Sequence, residues 1–214
     1  MKAPYGVMRW TVPVMTAPIS MSAIGPAPFP KGGDSPPSAS NYPTAVPSQS
    51  TARPYHRPVQ VSLRALVDAD LDAIYEQRKD PESVWMAAFT PDDPADRHAF
   101  LVHMSRLRDD PSVVERVIEA AGRIAGMIAS FRIDDRTEVT YWIDRALWGR
   151  GIASAALQSF LSMTTERPLF ARTASDNAAS LRVLEKAGFR RIGVNRDFAR
   201  GRGEEIEETI LRLD

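Results

Sequence analysis

The chain has 214 residues, 43% of them hydrophobic, which predicts one folded domain with a core of ordinary size. It contains no cysteine, and its three histidines lack the spacing of metal ligands. We therefore expect no disulfide, no metal site and no Ser-His-Asp hydrolase. Residues 1–60 hold five basic side chains and one acidic side chain, which leaves the rest of this neutral chain mildly acidic. An acidic domain disfavours nucleic acid as a partner.

The first 57 residues differ in composition from the remainder. Twelve of the 17 prolines lie at or before Pro58, among Ser, Ala, Gly and Thr. Such a segment buries too little apolar surface to offset the entropy of ordering it. We predict a disordered extension over 1–57 and a folded domain over 58–214. A secretory signal is the alternative, but prolines interrupt its apolar run. No stretch is long and apolar enough to cross a bilayer, and we expect a cytoplasmic protein without a membrane partner.

Periodic hydrophobic patterns begin at Val59, where the alternation in VQVSLRAL predicts a strand. The next segment predicts a helix that Asp68 or Asp70 caps. A second helix is predicted to have Asp93 as its N-cap and Pro94 in its first turn. Between these helices, the segment SVWMAAFT is expected to form a loop or a distorted helix.

Strands and helices then alternate along the chain. SVVERVIEA, RIAGMIASFRI and TEVTYWID predict an antiparallel meander of three strands. A helix over about 151–165, the strand PLFARTAS, a short helix over about 177–187 and two strands around RRIGV and EETILRLD follow. This order predicts a mixed α/β fold with a mostly antiparallel sheet of about seven strands, flanked by about four helices.

The stretch LWGRGIAS joins the strand TEVTYWID to the next helix and places Gly149 and Gly151 around Arg150. The first N–H groups of a helix have no partner within it, and the helix dipole makes its N-terminus attractive to anions. Glycines let the backbone approach a phosphate closely. The spelling matches neither the Walker pattern GxxxxGK[ST] nor the dinucleotide pattern GxGxxG. The stretch therefore predicts a phosphate-binding turn of another kind.

Two blocks of the sequence resemble the GCN5-related N-acetyltransferase (GNAT) family. Gly151 and Ala153 match the last two fixed positions of its loop pattern Q/R-x-x-G-x-G/A, although Trp148 stands at the first. Residues 177–180, followed by LRVLEKAGF, resemble its N-x-x-S/A…E-K-x-G-F segment. The combination EVTYWID…LWGRGIAS is similar to the branch of ribosomal-protein N-terminal acetyltransferases. The resemblance covers about 59–214 and implies the GNAT fold, in which the fourth and fifth strands splay apart.

The resemblance implies acetyl-CoA as a cosubstrate. Exposed amides of the fourth strand would bind the pantetheine arm and the thioester, and those of the glycine turn would bind the pyrophosphate. Asn177 is expected to contact coenzyme A or to cap its helix. The implied cofactor-binding residues are Tyr141, Trp142 and Ile143 on the strand, Arg150, Gly151, Ile152, Ala153 and Ser154 at the turn, and Asn177.

The resemblance also implies direct attack of an amine on the thioester, assisted by a base and an acid. Glu138 is the candidate base, because relatives carry a carboxylate on this strand; the alternative is a surface residue paired with a cation. Many relatives use a tyrosine of the last helix as the acid, but Leu184 stands there. Ser180 matches a serine with this role in the ribosomal-protein branch; the alternative is a helix-capping hydroxyl.

The acceptor site is expected in the SVWMAAFT segment, where Trp85, Met86 and Phe89 either line a pocket or belong to the core. The function implied is an N-acetyltransferase that acts on a primary amine, either a peptide N-terminus or a small molecule. Because the family tyrosine is missing, a catalytically inactive coenzyme A-binding module is the alternative. Both a monomer and a homodimer fit the sequence.

Overall fold

The computed structural model describes residues 59–214, which form one seven-stranded sheet with α-helices on both faces. The predicted extension over 1–57, and with it the predicted domain boundary, lies outside the described residues. The elements are β1 (Val61–Arg64), α1 (Leu71–Arg78), α2 (Pro81–Ala87), α3 (Arg97–Asp109), β2 (Val114–Ala120), β3 (Arg123–Ile133), β4 (Arg136–Ile143), α4 (Ile152–Met163), β5 (Leu169–Ala174), α5 (Ala178–Lys186), β6 (Arg190–Ala199) and β7 (Glu204–Leu213).

The sheet has the strand order β1-β2-β3-β4-β5-β7-β6. All neighbouring strands are antiparallel except β4 and β5, which are parallel and pair only at Thr137–Leu169 and Glu138–Phe170. Beyond Glu138 the two strands part. The predicted mixed α/β fold with a splayed central pair is therefore confirmed.

The described residues contain five α-helices where about four were predicted, because the first five residues of SVWMAAFT belong to a regular helix, α2, while its last three form a loop. Asp80 is the N-cap of α2, and its carboxylate accepts a hydrogen bond from the Ser83 N–H at 2.9 Å. Pro81 occupies the first turn of the helix. It ends at Ala88, which has a left-handed φ of +66°. The sequence signal for this helix was the Asp-Pro step that precedes the apolar segment.

The N-cap predicted for the longer helix was wrong. Helix α3 begins at Arg97, and the Asp96 carboxylate accepts a hydrogen bond from the Ala99 N–H at 2.9 Å. Asp93 instead accepts one from the Ala95 N–H within the preceding turn, at 2.8 Å. Two aspartates three residues apart can each cap a helix start, and the local backbone decides which of them does so.

Three clusters of buried residues cover the faces of the sheet. On one face, α4 and α5 bury side chains such as Leu157, Phe160 and Leu184 against the strands. On the other, α1 and α3 bury Ile74 and Phe100 with neighbours from β2 and β3. Helix α2 also lies on this second face, since Phe89 directly after it packs with buried residues of β5 and β6. The gap between β4 and β5 therefore opens on both faces of the sheet, with α4 and α5 on one face and α2 on the other.

Candidate active site

A cleft runs through the sheet where β4 and β5 part. It contains a cavity of about 440 Å³, a size typical of small-molecule sites. On one face the wall comes from the glycine turn, α4 and α5; on the other it comes from α2 and Phe89. The strands themselves contribute Glu138–Ile143 of β4 and Ala171–Thr173 of β5. A ligand in this cavity contacts both faces of the sheet at once.

The glycine turn has the left-handed backbone conformation that glycines permit and that its sequence predicts. Gly149 and Gly151 have left-handed φ angles of +74° and +78°, and Gly151 is the N-cap of α4. A Cβ at either position would meet no atom within 4 Å, so backbone conformation, not crowding, requires the glycines. The N–H groups of the first turn of α4 lie before its first internal hydrogen bond, from the Ala155 N–H to the Gly151 carbonyl. They are available to an anion.

Trp148 takes a structural role in place of the polar residue usual in the family. Its indole N–H donates to the carbonyl of Ile143 at 2.8 Å, and its ring packs against the core under α4. This bond fixes the glycine turn to the last residue of β4. The side chain of Arg150 is exposed and does not contribute to the cavity wall.

A serine and a tyrosine meet in the middle of the cavity. The hydroxyl of Ser180 on α5 lies 2.8 Å from the hydroxyl of Tyr141 on β4. Burial raises the pKa of Tyr141 to about 12, so its hydroxyl stays protonated at neutral pH. The helix cap is Asn177, whose side-chain oxygen accepts from the Ser180 N–H at 3.0 Å. The Ser180 hydroxyl is thus engaged with Tyr141, and the capping alternative applies to Asn177.

Three charged side chains lie at the end of the cavity nearer α2. Glu138 of β4 lies 3.0 Å from Arg172 of β5, and Glu208 of β7 lies 3.7 Å from the same guanidinium. The two glutamate residues are 2% and 1% exposed. Burial, together with the negative charges of Glu138 and Asp197, raises the pKa of Glu208 to about 7, although Arg172 opposes the shift. We call Glu138, Arg172 and Glu208 the buried charge cluster.

Sequence reasoning missed Arg172 and Glu208. Both lie within predicted strands, PLFARTAS and EETILRLD, but neither residue stood out from ordinary charged strand positions. No local signal marked Glu208, because β7 is exposed at Glu207 but buried at both Glu208 and Thr209, which breaks the alternation of a strand. A glutamate on the inward face of a strand requires a partner, and that partner is distant in sequence.

The predicted acceptor residues divide between the cavity and the surface. Met86 and Phe89 contribute to the cavity wall, and Phe89 also packs in the small core beneath α2. Trp85 is 49% exposed and lies outside the wall. The guanidinium of Arg202, from the turn between β6 and β7, stacks over the Trp85 ring at 4.1 Å. This contact joins the β6–β7 hairpin to α2, and a role of Trp85 in acceptor binding stays a prediction.

The cavity brings together twelve of the fourteen residues that the sequence singled out, and leaves out Arg150 and Trp85. The roles of these residues in binding and catalysis stay predictions, because a place in the cavity wall does not establish a function. The twelve are Met86, Phe89, Glu138, Tyr141, Trp142, Ile143, Gly151, Ile152, Ala153, Ser154, Asn177 and Ser180.

Comparison with known proteins places this arrangement in a family, because residues 60–190 match the acetyltransferase (GNAT) domain. The chain belongs to the GNAT family. It is therefore an acyltransferase. A curated relative, the uncharacterized N-acetyltransferase p20 of Bacillus licheniformis, is 24% identical over 165 residues, which cover 72% of this chain and 92% of the relative.

Solved GNAT structures share the fold. Mycobacterium smegmatis RimJ in complex with CoA-disulfide has a TM-score of 0.61 and 24% identity, over 72% of this chain and 81% of that one. Spermidine N-acetyltransferase from Vibrio cholerae, in complex with CoA and spermine, has a TM-score of 0.59 and 20% identity, over 72% and 95%. Within residues 59–214, no helix is long and apolar enough to span a membrane, and no group of His, Asp or Glu side chains has the arrangement of a metal site.

Proposed function

We propose that this GNAT enzyme transfers an acetyl group from acetyl-CoA to a primary amine that enters the cleft from the α2 side. The observation that carries the proposal is the cavity itself. It passes through the parted strands, with a turn suited to phosphate at one end and the buried charge cluster at the other. The two substrates would therefore meet between β4 and β5.

The residues at the α4 end fit acetyl-CoA. The left-handed glycines expose the first N–H groups of α4 to open space, which suits a pyrophosphate. Between this turn and the buried charge cluster, residues 139–143 of β4 have no strand partner on their β5 side among residues 59–214. Apart from the Ile143 carbonyl, which accepts from Trp148, the backbone groups that face this gap could bind an extended pantetheine arm in the manner of an added strand. Acetyl-CoA supplies an acetyl group already activated as a thioester.

Ser180 and Tyr141 are suited to assist the departing sulfur. Their hydroxyls form a pair within the cavity, and the raised pKa of Tyr141 keeps a proton available there. We propose that Ser180 donates to the sulfur and recovers a proton from Tyr141. The tyrosine absent from α5 would thus be replaced by one from β4, which weakens the case for an inactive coenzyme A-binding module.

The acceptor end of the cavity favours an amine. Two buried carboxylates and one guanidinium give this end an excess of negative charge when all three are ionised, and Met86 and Phe89 supply apolar surface. Both a peptide N-terminus and a small amine have the required chemistry. RimJ and spermidine N-acetyltransferase resemble the chain to a similar degree, so we carry both acceptor classes forward, including the ribosomal-protein branch.

The test is release of free coenzyme A thiol from acetyl-CoA in the presence of spermidine or of a short peptide with a free N-terminus. We expect turnover with at least one acceptor, and a loss of roughly 10²-fold in kcat for Ser180→Ala. Ser162→Ala, an exposed serine on α4, is the matched control and should retain wild-type kcat. Tight binding of acetyl-CoA without thiol release for any amine would instead support the binding-module alternative.

A further inference from the structure

The buried charge cluster contains two carboxylates, and they differ in their contact with Arg172. Glu138 makes the closer ion pair, 3.0 Å from Nη2, whereas Oε2 of Glu208 lies 3.7 Å from Nη1. The second distance is longer than a hydrogen bond. Within residues 59–214, this Glu208 oxygen is buried and accepts no hydrogen bond. Glu208 also lines the cavity, and its longer contact with Arg172 holds its carboxylate less tightly than that of Glu138.

The two carboxylates also differ in their place in the fold. Glu138 lies at the last backbone pair between β4 and β5, at the closed end of the cleft. Glu208 pairs with Ala174 at the far end of β5, beside the small core formed by Phe89 and Ala199. Because α2 also packs on this part of β5, Glu208 lies on the side from which we propose that the acceptor enters.

We propose that Glu208, and not Glu138, accepts the proton of the acceptor's ammonium group, and that Glu138 is a positioning residue that holds Arg172. This inference rests on the proposed function. It replaces the expectation, implied by the family resemblance, that the base is the carboxylate of the fourth strand. The acceptor nitrogen would approach Glu208 across the apolar surface of Met86 and Phe89.

The charged groups that face Glu208 come from three strands. Arg172 of β5 attracts its negative charge, while Glu138 of β4 and Asp197 of β6 repel it. Burial, which disfavours the charged carboxylate, is the largest cause that raises its pKa. The resulting pKa of about 7 lies well above the ordinary value for a glutamate. A base with a pKa near the working pH combines a large ionised fraction with a useful proton affinity. The geometry and the charge of Glu208 therefore point to the same role.

The transfer balances with Glu208 as the acceptor of one proton. The ammonium group gives a proton to the Glu208 carboxylate, and the neutral nitrogen forms a C–N bond to the thioester carbonyl carbon while the C–S bond breaks. The nitrogen loses its second proton to water, and the sulfur receives a proton from Ser180, which takes one from Tyr141 while Tyr141 regains one from water. Glu208 then releases its proton to water, so each turnover yields an amide, a thiol and one proton.

The experiment compares pH profiles of kcat/KM from about pH 5 to about pH 9, which spans about two units either side of neutrality. It uses the full chain, acetyl-CoA and either spermidine or the free-N-terminus peptide, whichever turns over faster. Glu208 must be ionised to accept a proton, so the wild-type rate should rise with pH through a step near 7. Glu208→Gln should lower the rate at pH 7 by roughly 10²-fold and abolish this step. Glu207→Gln, its exposed neighbour on β7, is the matched control and should retain both.

Glu138→Gln separates the base from the positioning residue. It removes a negative charge beside Glu208, so the step should persist and move below pH 7. Glu208→Asp, which keeps the carboxylate but shortens it, should retain the step with a reduced rate. In the ligand-free protein, ¹³C NMR of glutamate carboxyl carbons should show a titration near pH 7 that is missing in Glu208→Gln.

The outcomes discriminate between the two proposals. Wild-type turnover together with an unchanged profile for Glu208→Gln would overturn the assignment of Glu208 and leave the transferase proposal standing. Loss of the step in Glu138→Gln alone would return the role of base to Glu138. Absence of turnover with both acceptors would overturn the proposed function and this assignment with it. If Glu208→Gln failed to fold, judged by circular dichroism, the profile of Glu208→Asp would decide, because loss of its step near pH 7 would also contradict the assignment.

Discussion

Substitutions in the glycine turn can separate the effect of backbone strain on stability from the effect of the turn on acetyl-CoA affinity. Gly151 and Gly122 have nearly equal φ angles of +78° and +74°, and a Cβ at either would meet no atom within 4 Å. Gly122 lies in the turn between β2 and β3, outside the cavity wall. Alanine in a left-handed conformation costs about 1–2 kcal/mol, so Gly151→Ala and Gly122→Ala should lose similar stability. For a chain of this size, the loss lowers the Tm by roughly 2–8 °C.

Only the Gly151 variant should lose affinity for acetyl-CoA. Its new methyl group enters the open space in which we place the pyrophosphate, and it disturbs the N–H groups of the first turn of α4. A hydrogen bond to a charged group contributes about 1.5–3 kcal/mol, so loss of one such bond weakens binding by roughly 10- to 100-fold. Calorimetric titration with acetyl-CoA measures the Kd of both variants. Equal affinities for Gly151→Ala and Gly122→Ala would refute the assignment of the turn to phosphate.

Two further predictions concern stability and the acceptor end of the cavity. In Gly201→Ala, the new Cβ would lie 2.6 Å from the Val84 carbonyl oxygen and separate the β6–β7 hairpin from α2. This variant should therefore have a lower Tm and a KM for the acceptor raised by several-fold, with an unchanged Kd for acetyl-CoA. An unchanged Tm would contradict this. Asp70→Asn should lower the free energy of unfolding at pH 7 by about 1–3 kcal/mol, measured by urea denaturation. Arg64 holds the pKa of Asp70 below its ordinary 3.8, so this stabilisation is present above that pH and is lost in acid, and the variant should approach the wild type below about pH 4.

Local patterns were sufficient to predict most of the elements. The strand alternation, the glycine turn and the Asn177 cap depend on residues close together in sequence, and the structure has each of them near the expected place. The parting of β4 and β5 is different. No residue of either strand encodes it locally, and it was expected only from the family resemblance, because a sheet's pairing depends on contacts distant along the chain.

The buried charge cluster shows why the site was only partly predictable. A glutamate in a strand is ordinarily exposed, and the sequence offers no local reason to treat Glu208 differently from Glu207. The burial of Glu208 depends on Arg172, which lies on β5. This strand pairs with β7 but is separated from it in the chain by α5 and β6. The same is true of Tyr141 and Ser180, whose hydroxyls meet because α5, which packs on β5, brings Ser180 to β4. The groups to which we assign the chemistry are pairs that are distant in sequence, and single-sequence patterns do not show them.

The two ends of the cavity are built from different parts of the chain, which has a consequence for specificity. The phosphate end depends on one continuous segment, from Trp148 to the first turn of α4. The proposed acceptor end is lined by α2, Phe89 and Glu208 of β7, and the β6–β7 turn contacts α2 from outside, where Arg202 stacks on Trp85 and forms a bidentate ion pair with Asp176. Substitutions in these contacts can reshape the acceptor end while the glycine turn stays intact. A constant acetyl-CoA site combined with a separately variable acceptor site is the arrangement expected where related enzymes modify different amines.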